Sequence, residues 1–220
     1  MKGTEIQAVI FDLDGVLIDS ELFYMKRLRE FARKEFGVDV AMEDLLTIVG
    51  ASGPAHWETL RPYLPLSLSH KDFTVRYRRF GEQEPVNYKA MMFGDVPRLM
   101  RELAGEGYRL ALATSSPQEK VDQVIQDCGL SLYLEEIITR DQVSRTKPDP
   151  EIYQICLSRL RLDADRCLVV EDSPIGIQAG KAAGIAVAAR RETRYPLDQS
   201  AADYMLESLN DLSGLLRCLQ

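Results

Sequence analysis

The C-terminal part of the chain, from residue 90 onward, alternates short apolar runs with longer segments of helical period. The runs are YRLALAT at 108–114, EIIT at 136–139, CLVVED at 167–172 and GIAVAA at 184–189. Short runs of this kind are typical of strands that are buried on both faces of a sheet. A strand that is regularly followed by a helix predicts parallel strands joined by crossover helices. We therefore expect an α/β fold with a doubly wound parallel sheet.

A further strand-like run, AVIF, stands at residues 8–11, and the next one begins only at residue 108. Three segments in between have the period of amphipathic helices. They are ELFYMKRLREFARKEF before Gly37, EDLLTIV before Gly50 and SHKDFTVRYRRF before Gly81. We therefore predict two domains: an α/β core of residues 1–19 and 90–220, and a small all-helical insert of residues 20–89.

Polar side chains follow three of the apolar runs directly, and a further polar residue, Lys147, lies in the segment RTKPDP at 145–150. The carboxyl ends of parallel strands line one edge of an open sheet, where ligands bind. Lys147 precedes a proline, which disfavours helical backbone, so an extended loop should offer this lysine. The polar residues of the four places are Asp12 and Asp14, Thr114 with Ser115 and Ser116, Lys147, and Glu171 with Asp172. We expect them to form one site from four separated stretches of the chain.

The acidic residues of this set require a cation. Asp12 and Asp14 are two residues apart, so both side chains point to the same side while the strand geometry lasts. At about 4 Å and an effective dielectric near 20, two unit negative charges repel by roughly 4 kcal/mol. Oxygen ligands without an accompanying His or Cys suit Mg²⁺ better than zinc. We therefore predict a Mg²⁺ site at Asp12, Asp14, Glu171 and Asp172.

The other residues of the set supply positive charge and hydrogen-bond donors. Lys147 carries a fixed positive charge. Thr114 and Ser115, at a strand end before a helix start, offer hydroxyl and backbone N–H groups, which commonly bind phosphate. Taken alone, these hydroxyls would be helix caps, a role that does not exclude phosphate binding. A carboxylate nucleophile, an acid–base partner, a divalent cation, a lysine and a phosphate site together indicate phosphoryl transfer through an aspartyl phosphate.

Four stretches, DLDGVLIDS, ATSS, KPDPEIY and VVEDSPIGIQAGKAAG, resemble the four ordered motifs of the haloacid dehalogenase-like hydrolase superfamily. The resemblance is to members with a small helical cap, which include β-phosphoglucomutase-like proteins and sugar-phosphate phosphatases. It implies a Rossmann-like core with an inserted cap. By position it also implies roles for seven residues: Asp12 as nucleophile, Asp14 as general acid/base and backbone magnesium ligand, Thr114 and Ser115 as phosphate binders, Lys147 as charge stabiliser, and Glu171 and Asp172 on the metal side.

The preferred interpretation is a Mg²⁺-dependent phosphatase of a small phosphorylated metabolite, such as a sugar phosphate. A phosphomutase of the β-phosphoglucomutase kind would carry a cap histidine ten residues after the acid/base aspartate and an arginine in the next cap loop. This chain has Tyr24 and Gly53 there, which favours hydrolysis. A non-catalytic phosphate-responsive module, similar to receiver domains, would lack the cap and Asp14. Haloacid dehalogenases also lack the second aspartate of the first motif.

Five residues of the insert have two interpretations each. Arg76, Arg78 and Arg79 either reach a second anionic group of the substrate or line a solvated helix face. His56 and Trp57 either determine specificity or are, respectively, a solvent-facing side chain and a core residue.

The composition excludes several classes of partner. A net charge of -7 argues against nucleic-acid binding, which requires a basic surface. No apolar run approaches the roughly 18 residues of a membrane span, and the start MKGTEIQ lacks the apolar core of a signal peptide. We therefore expect a cytoplasmic monomer whose partner is a small phosphorylated metabolite. The cysteines lack CxxC spacing and predict buried reduced thiols: Cys128, Cys156, Cys167 and Cys218.

Overall fold

The computed structural model describes residues 5–47, 53–83 and 86–220, with side chains for all of these except residues 53–55. The strands are β1 Ala8–Phe11, β2 Arg109–Ala113, β3 Leu134–Ile138, β4 Cys167–Glu171, β5 Ala186–Arg190 and β6 Tyr204–Leu206. They form one sheet in the order β3-β2-β1-β4-β5-β6, and every neighbouring pair is parallel. The predicted parallel α/β sheet is therefore confirmed.

Helices cover both faces of this sheet and also fill the interval between β1 and β2. They are α1 Glu21–Phe36, α2 Met42–Leu46, α3 Gly53–Leu60, α4 His70–Glu82, α5 Tyr88–Met91, α6 Val96–Gly105, α7 Gln118–Cys128, α8 Glu151–Leu160, α9 Pro174–Ala182 and α10 Leu212–Cys218. Short 3₁₀ segments lie at Arg61–Tyr63, Leu130–Leu132, Arg140–Gln142, Ala164–Arg166 and Leu209–Asp211.

The sheet divides the core into two apolar layers because successive strand residues point to opposite faces. Val9 and Phe11 of β1 pack in the layer that contains α6, α7 and α10. Ala8 and Ile10 pack in the other layer, with α8 and α9. All four residues are fully buried. Burial on both faces is why the strand is a continuous apolar run and does not alternate.

The strand order reverses beside β1. The chain passes from β1 to β2 and β3 on one side, and then crosses back to place β4 on the other side of β1. In open parallel sheets, ligands bind in the crevice outside the carboxyl ends of the strands at such a reversal. The polar residues that follow β1 and β4 therefore lie where a ligand is expected.

The helices of the insert pack around a third apolar cluster. Its centre is Phe31 of α1, which contacts Phe73, Tyr77 and Phe80 of α4 with ring centroids between 5.1 and 5.5 Å apart. Tyr195, from the loop after β5, also joins this cluster. We propose that the cluster marks residues 20–89 as a separate cap domain.

Two of the three predicted helix ends in the insert need correction. α1 ends at Phe36, and Gly37 follows it with a φ of 69°, as predicted. α2 ends at Leu46, before the β-branched residues that the prediction included, and the predicted stop at Gly50 lies outside the described residues. α4 continues through Gly81, whose backbone carbonyl accepts a hydrogen bond from Arg27. A Cβ at Gly81 would lie 2.8 Å from the Arg27 guanidinium, so this glycine permits a close approach and does not end the helix.

All four cysteines are free thiols, but the prediction that all are buried is wrong. Cys156 and Cys167 are buried in the layer beside α8, and Cys128 is half-buried. Cys218 is exposed because it lies in the last turn of α10, near the end of the chain. Among the described helices, none is long and apolar enough to cross a membrane.

Candidate active site

The structure brings the predicted polar residues together at one edge of the sheet. Asp12 follows β1, Thr114 follows β2, and Glu171 is the last residue of β4. The backbone N–H of Asp12 donates to the Val170 carbonyl at 2.9 Å, which extends the strand pairing as far as the site. The strand ends therefore hold these side chains on rigid backbone.

Lys147 reaches this edge from the loop before α8, as its place ahead of a proline predicts. Its Nζ donates to Asp12 Oδ1 at 2.7 Å, to Glu171 Oε1 at 2.6 Å and to the Ala113 carbonyl at 2.9 Å. Burial would lower the pKa of Lys147, but the charges of Asp12 and Glu171 outweigh burial and raise it well above its ordinary value. The lysine is therefore a permanent positive charge beside the proposed nucleophile.

Three carboxylates form a candidate metal site. Ligand oxygens of Asp12, Glu171 and Asp172 lie within 4.8 Å of one another. Both side-chain oxygens of Asp172 are buried and find no hydrogen-bond donor among the described residues. Burial, followed by the charges of Glu21, Glu171 and Asp12, raises the pKa of Asp172 well above its ordinary value. A buried carboxyl group without a donor either stays protonated or binds a cation, so the residues present fit Mg²⁺.

Glycine is required at position 15 for this carboxylate to fit. Gly15 has a φ of 78°, and a Cβ built on it would lie 1.9 Å from Asp172 Oδ2. Any side chain would therefore displace Asp172. The glycine after the second aspartate thus makes room for a carboxylate of the candidate metal site and also permits the turn.

Glu171 differs from the other two carboxylates of the cluster, Asp12 and Asp172, because its oxygens already accept five hydrogen bonds. Oε1 accepts from Lys147 and from the Tyr153 hydroxyl at 2.8 Å. Oε2 accepts from the backbone N–H groups of Asp172 and Ser173 and from the Ser173 hydroxyl, at 3.0 to 3.3 Å. This arrangement favours a role in holding Lys147 and the metal-side loop over direct coordination. Sequence reasoning missed Tyr153, although this tyrosine is the last residue of the third motif, KPDPEIY.

The side chain of Asp14 is the one predicted carboxylate that lies outside the cluster. Asp14 accepts from Lys120 Nζ at 2.5 Å, from the Ser116 hydroxyl at 2.6 Å and from the Ser20 hydroxyl. Burial would raise the pKa of Asp14, but the charge of Lys120 and these hydrogen bonds lower it. Any contact between Asp14 and a metal would therefore use its backbone carbonyl.

The two aspartates of the first motif have opposite electrostatic environments. Burial raises the pKa of Asp12 to about 7, the charge of Lys147 opposes this effect, and the charge of Glu171 adds to it. Asp14, by contrast, is held ionised. A nucleophilic carboxylate must be ionised, and a cation at the candidate metal site would lower the pKa of Asp12 as that role requires.

Thr114 and Ser115 occupy the strand end that precedes α7. Thr114 is buried, and its Oγ1 accepts from the backbone N–H of Ser116 at 3.1 Å. Ser115 is half-buried. α7 begins at Gln118 after Pro117, and the Gln118 backbone N–H donates to Asp141 Oδ2 at 2.9 Å and not to one of these hydroxyls. The helix-cap interpretation of these hydroxyls is therefore not supported, which leaves their phosphate-binding role as the proposal.

Several insert residues lie close to this edge, and others do not. Tyr24 places the face of its ring 4.3 Å from Lys120 Nζ, and its hydroxyl lies 2.9 Å from the Tyr88 hydroxyl. His56 is half-buried, and burial, then the charges of Lys120 and Arg140, lower its pKa to about 4. The charges of Lys120 and Arg140 therefore act on the His56 ring.

The environments of Trp57 and of the three arginines fit the structural interpretations, a core residue and a solvated helix face. Trp57 stacks on His70 at 5.4 Å and packs against the cap cluster. The three arginines of α4 are exposed. Arg76 pairs with Glu35, and Arg78 pairs with Glu82 and Glu119, at 3.4 to 3.9 Å. These pairs are typical of a solvated helix face.

Comparisons with known proteins agree with the motifs. The sequence matches the family described as haloacid dehalogenase-like hydrolase over residues 9–190. It is 34% identical over 183 residues to the phosphorylated carbohydrates phosphatase of Thermotoga maritima, a match that covers 82% of each chain. It is 29% identical over 219 residues to the pyrophosphatase PpaX of Bacillus velezensis, covering 96% of this chain and 97% of that one.

A solved structure shares the whole fold. The β-phosphoglucomutase of Clostridium difficile superposes with a TM-score of 0.79 at 20% identity, covering 97% of both chains. At this identity the likeness concerns the fold alone. The family match over residues 9–190 and the 34% identity to the Thermotoga maritima phosphatase show that this chain belongs to the haloacid dehalogenase-like hydrolases.

Proposed function

We propose that this protein is a Mg²⁺-dependent phosphatase of small phosphorylated metabolites, with sugar phosphates as the foremost class, and that it works through an aspartyl phosphate on Asp12. The observation that carries this proposal is the buried pairing of Asp12 with Lys147 beside the partnerless carboxylate of Asp172. A nucleophile, a fixed positive charge and a site that requires a cation thus lie at one sheet edge. The phosphatase and pyrophosphatase among the relatives give independent support.

In the first half-reaction, an Asp12 carboxylate oxygen attacks phosphorus and the bond to the leaving oxygen breaks. Lys147, 2.7 Å from Asp12 Oδ1, offsets the negative charge that gathers between the carboxylate and the phosphoryl group. Thr114 and Ser115 offer hydroxyl and backbone N–H groups to the phosphoryl oxygens. Asp14 gives the leaving oxygen its proton.

In the second half-reaction, Asp14 takes a proton from a water molecule, which attacks phosphorus on Asp12 and releases phosphate. The donors around Asp14 keep it ionised, which suits this second role. The first role requires Asp14 to take up a proton when substrate binds.

Mg²⁺, when bound, would be held by the side chains of Asp12 and Asp172 and the backbone carbonyl of Asp14. It would supply charge that offsets the repulsion between carboxylates and a phosphate dianion. Glu171 would keep Lys147 and the loop of Asp172 in place. The resemblance assigns Glu171 to the metal side. Its five donors favour an indirect role there, in which Glu171 holds Lys147 and the loop of Asp172 and does not coordinate the metal itself.

Phosphomutase activity is the second candidate because the fold matches a β-phosphoglucomutase. A mutase must protect the aspartyl phosphate from water, and this chain has Tyr24 where such enzymes would have a histidine. The Tyr24 hydroxyl already pairs with Tyr88, and burial raises the pKa of Tyr24 further above its ordinary value. Tyr24 is therefore a poor substitute for an acid–base histidine.

The test is phosphate release from a panel of hexose phosphates, pentose phosphates, pyrophosphate and an aryl phosphate with Mg²⁺, with and without a sugar bisphosphate. We expect free phosphate from at least one sugar phosphate and no isomerised sugar phosphate. Efficient interconversion of isomers with little phosphate released would instead make the mutase the better assignment. No phosphate release and no interconversion with any substrate would favour a binding module.

Chelation is expected to lower turnover by more than about 100-fold, because the carboxylate cluster then repels the substrate. Added Mg²⁺ should restore turnover, and Ca²⁺ should inhibit because its larger, looser coordination sphere misplaces the nucleophile. Full activity in excess EDTA would contradict the metal assignment.

Thermal unfolding tests the same site without any substrate. An unpaired buried carboxylate costs about 2 kcal/mol or more, so Asp172→Asn should melt roughly 5 °C above the wild type in EDTA. Mg²⁺ should raise the melting temperature of the wild type and leave that of Asp172→Asn unchanged. Asp127→Asn, at an exposed position of α7, is the matched control and should respond to Mg²⁺ as the wild type does. An equal Mg²⁺ response in Asp172→Asn would remove Asp172 from the ligand set.

A further inference from the structure

Lys120 is a second lysine of the site, and neither the motifs nor the proposed chemistry assigns it a role. It lies in the first turn of α7, and its Nζ is 2.5 Å from Asp14 Oδ1. Both side chains are only 14% exposed. An ion pair so well covered restricts the carboxylate far more than an exposed pair between flexible side chains would.

The cap covers this lysine from the other side. Lys120 Nζ lies 4.3 Å from the centre of the Tyr24 ring, within the range of a cation–π contact. Tyr24 belongs to α1, and its hydroxyl meets the hydroxyl of buried Tyr88, from α5. Lys120 therefore lies between a core carboxylate and a cap aromatic ring.

With all four carboxylates ionised, the charge balance of the site also favours this lysine. Asp12, Asp14, Glu171 and Asp172 bring four negative charges, whereas Lys147 and a divalent cation together bring only three positive ones. Lys120 supplies the fourth. Without it the site would carry an unbalanced negative charge where a phosphate dianion must enter.

We propose, on the basis of the proposed phosphatase function, that Lys120 is the positioning residue for Asp14, and that Tyr24 of the cap holds Lys120 in place. Lys120 and the Ser20 hydroxyl donate to Oδ1 of Asp14, and the Ser116 hydroxyl donates to Oδ2, so both carboxylate oxygens are bound. Asp14 is thereby held at the place where it meets the leaving oxygen and, later, the attacking water. A small cap helix thus takes part in orienting a catalytic side chain of the core.

The test compares Lys120→Met and Lys120→Arg with the wild type and with Lys89→Met, which removes a lysine from an exposed position of the neighbouring α5. Displacement of a reacting group by 1 Å can cost about 100-fold in rate, so Lys120→Met should lower kcat for a sugar phosphate by about that factor. A loss of transition-state positioning leaves substrate binding largely intact, so KM should change less than about threefold. Lys120→Arg should recover most of the lost kcat, and Lys89→Met should match the wild type.

The two half-reactions separate positioning from substrate binding. An aryl phosphate needs little protonation of its leaving group, so Lys120→Met should still phosphorylate Asp12 and then stall, with a burst of aryl alcohol equal to the enzyme concentration. Tyr24→Leu should lower kcat more than Tyr24→Phe, because only phenylalanine keeps the ring face. A raised KM with unchanged kcat, or loss of the burst itself, would overturn the proposal and make Lys120 a substrate-binding residue.

Crystal structures provide a readout that needs no activity. We expect the Asp14 carboxylate to contact Lys120 in the wild type and to leave its place beside Ser20 and Ser116 in Lys120→Met. An unchanged Asp14 in Lys120→Met, or a wild-type Lys120 turned to solvent, would overturn the proposal. Failure of the wild type and of Lys89→Met to release phosphate from any substrate would refute the phosphatase function, while these structures would still decide the role of Lys120.

Discussion

Asp12→Asn is expected to abolish turnover, with a loss of about 10⁴-fold or more, the scale seen when a covalent nucleophile is removed. The amide cannot form the aspartyl phosphate, and no other carboxylate is equally placed. The side chain of Asp14 points to Lys120, Glu171 is occupied by five donors, and Asp172 lies on the metal side.

The same variant should fold normally. Asparagine has nearly the shape of aspartate, and the change removes one of three buried carboxylates that repel one another. We therefore expect a melting temperature in EDTA at or above that of the wild type. Steady-state phosphate release and thermal unfolding, measured side by side with Asp127→Asn as the control, would check both statements. Retention of more than a few per cent of kcat with a fully folded protein would show that another residue attacks phosphorus.

Lys147→Met is expected to have the largest combined effect on activity and stability. The Lys147 side chain is 2% exposed, and its Nζ binds two carboxylates and a backbone carbonyl. Removing one partner of a buried ion pair costs about 3–5 kcal/mol, because the other charge remains buried and unpaired. For a chain of this size that cost lowers the melting temperature by roughly 10 °C. Turnover should fall by at least about 10³-fold, because the charge beside the transferred phosphoryl group is lost.

A second substitution separates the two effects of Lys147→Met. Adding Glu171→Gln removes one of the carboxylates that the lysine neutralised, so the double variant should recover part of the lost stability. It should recover no activity, because the positive charge beside Asp12 is still missing. Thermal unfolding and phosphate release of both single variants and the double variant form one cycle. Additive losses of stability in the double variant would contradict the account of a coupled buried ion pair.

Several features of this protein could be predicted from local sequence. The apolar runs and the helical segments between them specify the parallel sheet, because a strand that is buried on both faces is a continuous run of apolar residues. The positions of Asp12, Thr114 and Glu171 at strand ends predict that they meet, because all strand ends of a parallel sheet share one edge. Lys147 could be placed from Pro148, whose ring restricts the backbone before it.

The helix ends of the insert show where local reasoning fails. A glycine after an apolar pattern predicts a stop, and this holds at Gly37, where the backbone adopts a positive φ. At Gly81 the same residue lies within α4, because Arg27 packs against its backbone from another helix. Both glycines follow an apolar pattern, but Val38 follows Gly37 whereas Glu82 and Gln83 follow Gly81, and Arg27 packs against Gly81 and not against Gly37.

The sequence by itself determined the sheet and the edge at which the polar side chains meet, and it predicted a cation site among the carboxylates. Only the tertiary structure decided which carboxylate faces which partner. The pairing of Asp14 with Lys120 joins residues 106 positions apart, and that of Tyr24 with Tyr88 joins residues 64 apart. A lysine in the first turn of an amphipathic helix has the same local pattern whether it reaches solvent or a buried carboxylate. Periodicity reports which face of an element is buried, whereas the partner on that face depends on how separate elements pack.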